Sequence, residues 1–184
     1  MKDTIRSIMD RRSTRGFYDK ALTQDELTIL QDCALASPTA MNMQSWHFSF
    51  VTDTEKIAKV ENRVVEKIMG SDDEAFKSRM KERNYSVFYG APLVIFISSD
   101  AESKWSAVDA GIAVENLAIA AHSMGLGSVI IGMCASAFDD DCGKELGTEL
   151  GFPSTHKFQI AIAIGTPTVS KESHPIGDNK ITLI

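Results

Sequence analysis

The chain has 184 residues, 43% of them apolar, and carries 25 acidic against 19 basic side chains for a net charge of −6. This is the size and composition of one globular domain, spanning 1–184, with enough apolar residues to fill a core. The acidic balance excludes a general affinity for nucleic acid or anionic membranes, which needs a basic surface.

The first twelve residues, MKDTIRSIMDRR, contain no apolar stretch of the kind a secretory signal needs. Thr4 to Asp10 reads as a short helix with Ile5, Ile8 and Met9 on one face. It runs into a basic loop, Arg11 to Phe17. Thr23 and Glu26 have capping-box spacing and open a helix to about Ala36, with Leu27, Leu30, Ala34 and Leu35 as its apolar stripe. Ser37 to Ser45 is a loop of small and polar residues. Trp46 to Val51 alternates as a strand does. Thr52 and Glu55 form a second capping box, for a helix to about Met69. Gly70 to Asn84 is charged and weakly patterned, an expected mobile excursion. Ala91 to Ser98 is a continuous apolar run and reads as a buried strand.

Trp105 to Met124 is the longest helix, apolar on nearly every side, so it is expected to be buried. Seven small residues in it, from Ala107 to Ala121, let neighbouring backbones approach. Gly125 takes the left-handed position that stops it, and Gly127 to Ile131 follows as a strand closed by Gly132. Phe138 to Leu150 reads as a helix and Phe158 to Ile164 as a strand. The tail to Ile184 is irregular, with a late apolar patch at Ile181, Leu183 and Ile184. No apolar run approaches the length of a membrane span. The strands and helices do not alternate strictly, which predicts an α+β sandwich.

Three stretches could carry chemistry. Arg11, Arg12, Ser13 and Arg15 place three guanidinium groups and a hydroxyl within five residues. Such a set suits a dianionic phosphate, because arginine gives bidentate charge-assisted bonds. Alone it reads equally as a solvated cluster pairing with Asp10 and Asp19. Ser37 to Gln44 combines small residues, which let a flat ligand lie on backbone, with Asn42 and Gln44, which can read an amide edge. Alone it reads better as an ordinary helix-to-strand loop. Ile131 and Gly132 end the strand after the long helix, where glycine lets backbone N–H groups approach a ligand; alone this reads better as a strand terminator. His47 and His122 read as packed side chains. Asp109 and Glu115, six apart, share no helical pairing and are expected to bond to backbone or to another group. Cys33, Cys134 and Cys142 lack paired or metal-ligand spacing, which indicates a reducing compartment. No phosphate-loop, GxSxG, HExxH or GxGxxG pattern occurs.

Taken in order, RRSTRGF at 11–17, SPTAMNMQSWHF at 37–48, GAPLVIF at 90–96, GLGSVIIG at 125–132 and AIGTP at 163–167 resemble the nitroreductase family of FMN-dependent oxidoreductases. The resemblance covers almost the whole chain, and its specificity lies in the ordered set. It implies a mostly antiparallel central sheet sandwiched by helices, and a homodimer built partly on the long helix, with FMN bound where subunits meet; the cysteine usage and the lack of a signal-like or membrane-length apolar run point separately to a cytoplasmic protein. It implies that Arg11, Arg12, Ser13 and Arg15 hold the phosphate and ribityl chain, that Pro38, Thr39, Ala40 and Asn42 reach the flavin from the other subunit, and that Ile131 and Gly132 lie beside the flavin ring. A basic residue in the tail usually completes the phosphate site, and Lys171 is the residue available. Asn84 is a further candidate for the flavin's pyrimidine edge. Ser45 departs from the family's usual proline, and the tail lacks the usual paired basic residues.

With no protein nucleophile required, the implied activity is transfer of reducing equivalents from NAD(P)H through FMN to an electron-poor acceptor such as a nitroaromatic or quinone, in ping-pong order. Two other readings share the same phosphate loop: a non-enzymatic flavin-binding storage or regulatory protein, and a family offshoot performing reductive dehalogenation or flavin fragmentation.

Overall fold

The computed structural model describes residues 3–173 and 175–184. Its centre is a four-stranded antiparallel sheet in the order β1 (Trp46–Val51), β2 (Leu93–Asp100), β4 (His156–Gly165), β3 (Gly127–Ile131). The two middle strands are apolar on both faces, as a strand covered on both sides must be. Leu93, Ile95 and Ile97 of β2, with Ile162 and Ile164 of β4, face one core. Val94 and Phe96, with Ala161 and Ala163, face the other.

The first core is closed by α2 (Gln24–Leu35) and α5 (Ser106–Ser123), through Leu30, Ala34, Ala113, Leu117 and Ala121. Its alanines let α5 lie close to the sheet. The second core is closed by α3 (Thr54–Met69) and α6 (Asp141–Glu149). The α3 contribution, Ile57, Val60, Val64 and Ile68, is the stripe that a 3.6-residue period produces. The result is the expected α+β sandwich. No helix among the described residues is long and apolar enough to cross a membrane.

The Thr23–Glu26 capping box is present in both directions. The second box is not. Asp53 rather than Thr52 caps α3, its carboxylate accepting from the N–H groups of Glu55 and Lys56. A carboxylate at the positive end of a helix gains both hydrogen bonds and dipole attraction.

The 70–84 stretch is also not a featureless excursion. It contains α4 (Glu74–Glu82), capped by Asp73 and pinned by Met80, which is 1% exposed. One buried side chain on a charged helix leaves almost no periodic signal. The sixth helix starts at Asp141, after Asp140 caps it, rather than at Phe138. The shortest helix, α1 (Asp3–Asp10), turns its expected packing face outward: Ile5, Ile8 and Met9 are exposed, whereas Ser7 is buried. α5 is likewise covered on one side only, with Trp105, Val108 and Ile112 exposed on the other.

Candidate functional site

The basic loop is fixed by backbone rather than by its arginines. Thr14 N–H donates to Ser128 O at 2.8 Å, and Ser13 bridges Ser128 in parallel at the start of β3. Tyr18 N–H donates to Thr166 O at 2.9 Å, Thr168 N–H donates to Gly16 O at 3.0 Å, and Phe17 bridges Pro167 beyond the end of β4. The approach to β3 needs a glycine. A Cβ at Gly127 would stand 2.6 Å from Thr14 Oγ1 and 2.9 Å from Thr14 Cβ. The chain reaches Gly127 through a Schellman ending of α5: Gly125 is at φ +77°, Leu126 N–H donates to Ala121 O, and Gly125 N–H donates to His122 O.

These constraints open a cleft of about 260 Å³ whose lining includes Arg11, Arg12, Thr14, His122, Ser128 and Lys171. Three basic side chains, Arg11, Arg12 and Lys171, meet there against one lining acid, Asp10. Arg12 is partly committed to the fold, its Nη1 donating to Met9 O at 2.8 Å and Arg11 O at 2.7 Å. That cation closes the negative end of α1. Arg11 Nε stands 3.2 Å from Glu115 Oε1, yet this buried N–H has no well-aimed hydrogen bond among the described residues. The two groups attract as charges while the donor stays free for an anion.

His122 is half-buried and lines this cleft rather than packing in the core. It sits in the last turn of α5, where the helix emerges from under the sheet. Thr14, His122 and Ser128 escaped the sequence reading. Thr14 lay inside the basic motif, and His122, three residues before Gly125, was close enough to the helix end to suggest exposure.

Of the expected cluster, Arg11, Arg12 and Lys171 come together. Ser13 contributes backbone to the β3 bridge, and Arg15 is exposed; neither lines the cleft. Pro38, Thr39, Ala40 and Asn42 lie on a separate segment, whose 3-10 turn spans Ala40–Asn42. Met41, Asn42 and Gln44 there have φ of 52°, 54° and 48°, left-handed without a glycine, with right-handed Met43 between them. Asn84 is exposed in another left-handed turn. Ile131 is buried at the end of β3, and Gly132 beside it is exposed. Gly132 has ordinary right-handed torsions, and a Cβ there would meet only Ile160 Cδ1, at 3.6 Å. The chain itself therefore makes no demand for glycine at this position.

Asp109 and Glu115 are both engaged. Asp109 Oδ1 accepts the Ala40 N–H at 3.1 Å, and Glu115 faces Arg11. His156, on β4, is held below the ordinary histidine range, first by burial and then by the charge of neighbouring His47. Cys134 is fully buried, and burial pushes its thiol up, so it is an inert packing residue. All three cysteines are free thiols.

The sequence model of the Nitroreductase family matches residues 8–166. The chain belongs to the nitroreductase family. It is 28% identical to a nitroreductase with bound FMN from Desulfitobacterium hafniense DCB-2, with a TM-score of 0.95 over 100% of this chain and 99% of that one. It is 26% identical over 178 residues to an Archaeoglobus fulgidus protein provisionally named NADH dehydrogenase/NAD(P)H nitroreductase, covering 97% of this chain and 93% of that one. It is also 24% identical to the iodotyrosine deiodinase of Thermotoga neapolitana, over 90% of this chain and 89% of that enzyme. The structural match of this nitroreductase-family chain thus spans all of it, whereas the named activities of its relatives differ.

Proposed function

We propose that this nitroreductase-family chain is an FMN-dependent oxidoreductase, a single domain that works as a homodimer with flavin where the subunits meet. The observation that carries the reading is the convergence of Arg11, Arg12 and Lys171 on one cleft beside Ser128. The residues fit the group. The cleft is cationic, Arg11 offers an orphaned buried N–H, and Gly132 is open, with nothing nearer than 3.6 Å to an added Cβ. Arg11, Arg12 and Lys171 hold the FMN phosphate, with Thr14 and Ser128 at the same mouth. Ser13 and Arg15 continue the same loop toward the ribityl chain and ring. Pro38, Thr39, Ala40 and Asn42 meet the flavin of the neighbouring subunit, and Ile131 and Gly132 offer backbone beside the ring.

Bound FMN would supply the redox chemistry, taking a hydride equivalent from NAD(P)H and passing it to an electron-poor acceptor such as a nitroaromatic or quinone. The chain's own part is to bind, orient and exclude water. Dimerisation is favoured by the uncovered sides of the neighbouring helices α1 and α5, and by the tail. Ile181, Leu183 and Ile184 are each at least 90% exposed. Apolar surface of that extent marks an interface rather than a solvated face.

The test is the chromophore. Protein purified under mild conditions is expected to be yellow, to release FMN rather than FAD, and to bleach anaerobically with NADH or NADPH, with colour restored by a quinone. Recovery of FAD alone, or failure to take up added FMN, overturns the reading. FMN binding without bleaching by either nucleotide favours the storage or regulatory alternative. The deiodinase relative favours a second enzymatic reading, reductive dehalogenation of a haloaromatic, detected as halide release.

A further inference from the structure

α5 reaches out twice to the segment between α2 and β1. Asp109 Oδ1 accepts the Ala40 N–H at 3.1 Å, and Asn116 Nδ2 donates to Ser37 Oγ at 3.0 Å, the same hydroxyl that donates to Cys33 O at 3.4 Å. Residues seven apart lie on one face of a helix, two turns and about 10.5 Å apart. The span 39–44, which they hold only at its start, is conformationally costly. Methionine and glutamine rarely adopt left-handed torsions, yet Met41 and Gln44 do so on either side of Met43. Within the span, Thr39 Oγ1 accepts the Gln44 N–H and Gln44 Nε2 donates to Asn42 Oδ1, both at 2.9 Å. Met41 is 84% exposed, so burial of the segment's own side chains does not impose this shape. Strained backbone of this kind persists only where surrounding contacts over-determine it.

Asp109 is a poor choice for stability. It is 2% exposed, and its Oδ2 has no hydrogen-bond partner among the described residues. A buried carboxylate half-satisfied in this way costs more than an apolar side chain of similar volume among the surrounding alanines and leucines. Its presence there points to something other than holding the fold.

We propose that Asp109 and Asn116 are positioning residues that clamp the 37–44 segment at Ala40 and Ser37 and preset the backbone it offers to flavin, a role that rests on the FMN reading above. The clamp fixes the segment's shape before the ligand arrives, so the ordering cost is met by the fold rather than by binding. The Asp109→Asn variant keeps an acceptor for Ala40 N–H, loses the charge and puts an amide NH2 where the unpartnered oxygen stood. The leucine variant loses the acceptor and relieves the burial cost. Stability and flavin retention are therefore expected to move apart, which a merely structural residue would not produce.

The experiment compares wild type, Asp109→Asn, Asp109→Leu and Asn116→Ala as purified. It reads hydrogen exchange of the 37–44 amides, melting temperature, and the rate at which FMN is lost on dilution. Asp109→Leu is expected to exchange its 37–44 amides and lose FMN about tenfold faster, as removal of one bond to a charged group implies, with an unchanged or raised melting temperature. Asp109→Asn should stay near wild type in all three, and Asn116→Ala should loosen the Ser37 end. If the leucine variant does not fold, Asn116→Ala carries the test. Wild-type exchange in Asp109→Leu, equal damage from Asn and Leu, or faster exchange with unaltered FMN retention would each overturn the proposal. A wild type that binds no FMN defeats the functional reading and the flavin role together, while the exchange data still decide the clamp.

Discussion

Removing Arg11 tests the phosphate cleft directly, and its neighbour Glu115 makes the test two-sided. A hydrogen bond from a guanidinium to a dianion is worth roughly 1.5–3 kcal/mol, so Arg11→Ala should weaken FMN binding about ten- to a hundredfold. The fold should barely respond. The Arg11–Glu115 pair is partly exposed, at 26% and 40%, and its charges meet without an aligned hydrogen bond. Such a pair contributes at most about 1 kcal/mol, which in a domain of this size shifts the melting temperature by roughly 2–4 °C. Glu115→Gln removes a carboxylate that competes with the phosphate for the same cation. Affinity should then rise, by no more than about fivefold, since the competing pair is worth no more than that. Both effects should shrink as added salt shortens the screening length below about 10 Å. Fluorescence titration of FMN at two ionic strengths, with circular dichroism of each variant, measures all of this. Unchanged affinity in both variants would return the basic loop to a solvated charge cluster.

Two further outcomes follow from the uncovered faces and from the ion network at α6. Ile112→Glu places a charge on the exposed side of α5 and should produce monomers that have lost FMN, read by light scattering against flavin absorbance; a wild-type monomer retaining stoichiometric FMN would refute the shared site. Ala113 and Ala118 would be misleading probes, because both are fully buried in the chain's own core and their replacement reports unfolding. Asp140 is held well below the ordinary carboxylate range, chiefly by the Lys67 ammonium, then by the Gly143 N–H and the Arg63 guanidinium. A depressed carboxylate contributes stability that is present above its unfolded pKa and lost as pH falls. Asp140→Asn should therefore melt earlier than wild type at pH 7, with the gap closing as pH drops below about 4. A gap that stays constant from neutral to acid would refute the role of the charge.

Much of the chain was legible because helix starts, helix stops and strand periods are decided within a few residues. The Thr23–Glu26 box, the Gly125 stop, the alternation of Trp46–Val51 and the unbroken β2 run each carry their own instruction. So does the sheet's double burial, since Val94 and Phe96 are as apolar as Leu93, Ile95 and Ile97. Where two good caps adjoin, as Thr52 and Asp53 do, the choice depended on where the helix meets the sheet, and sequence alone picked the wrong one. The charged helix α4 was invisible because its hold on the fold is largely one residue, Met80, whose burial is a property of what surrounds it.

The candidate site divides the same way. The identity of its cations was in the sequence, since a basic run in an acidic chain needs explaining. Which of them would meet was not. Arg11, Arg12 and Lys171 lie some 160 residues apart at their extremes and converge only because 13–18 is laid across the ends of β3 and β4. His122 moved from core to cleft, Arg15 stayed outside it, and Glu115 arrived as a competitor for Arg11 for the same physical reason. Local propensity fixes the direction a side chain leaves its own helix or strand, whereas what stands opposite is set by strand order and by the path of the chain between.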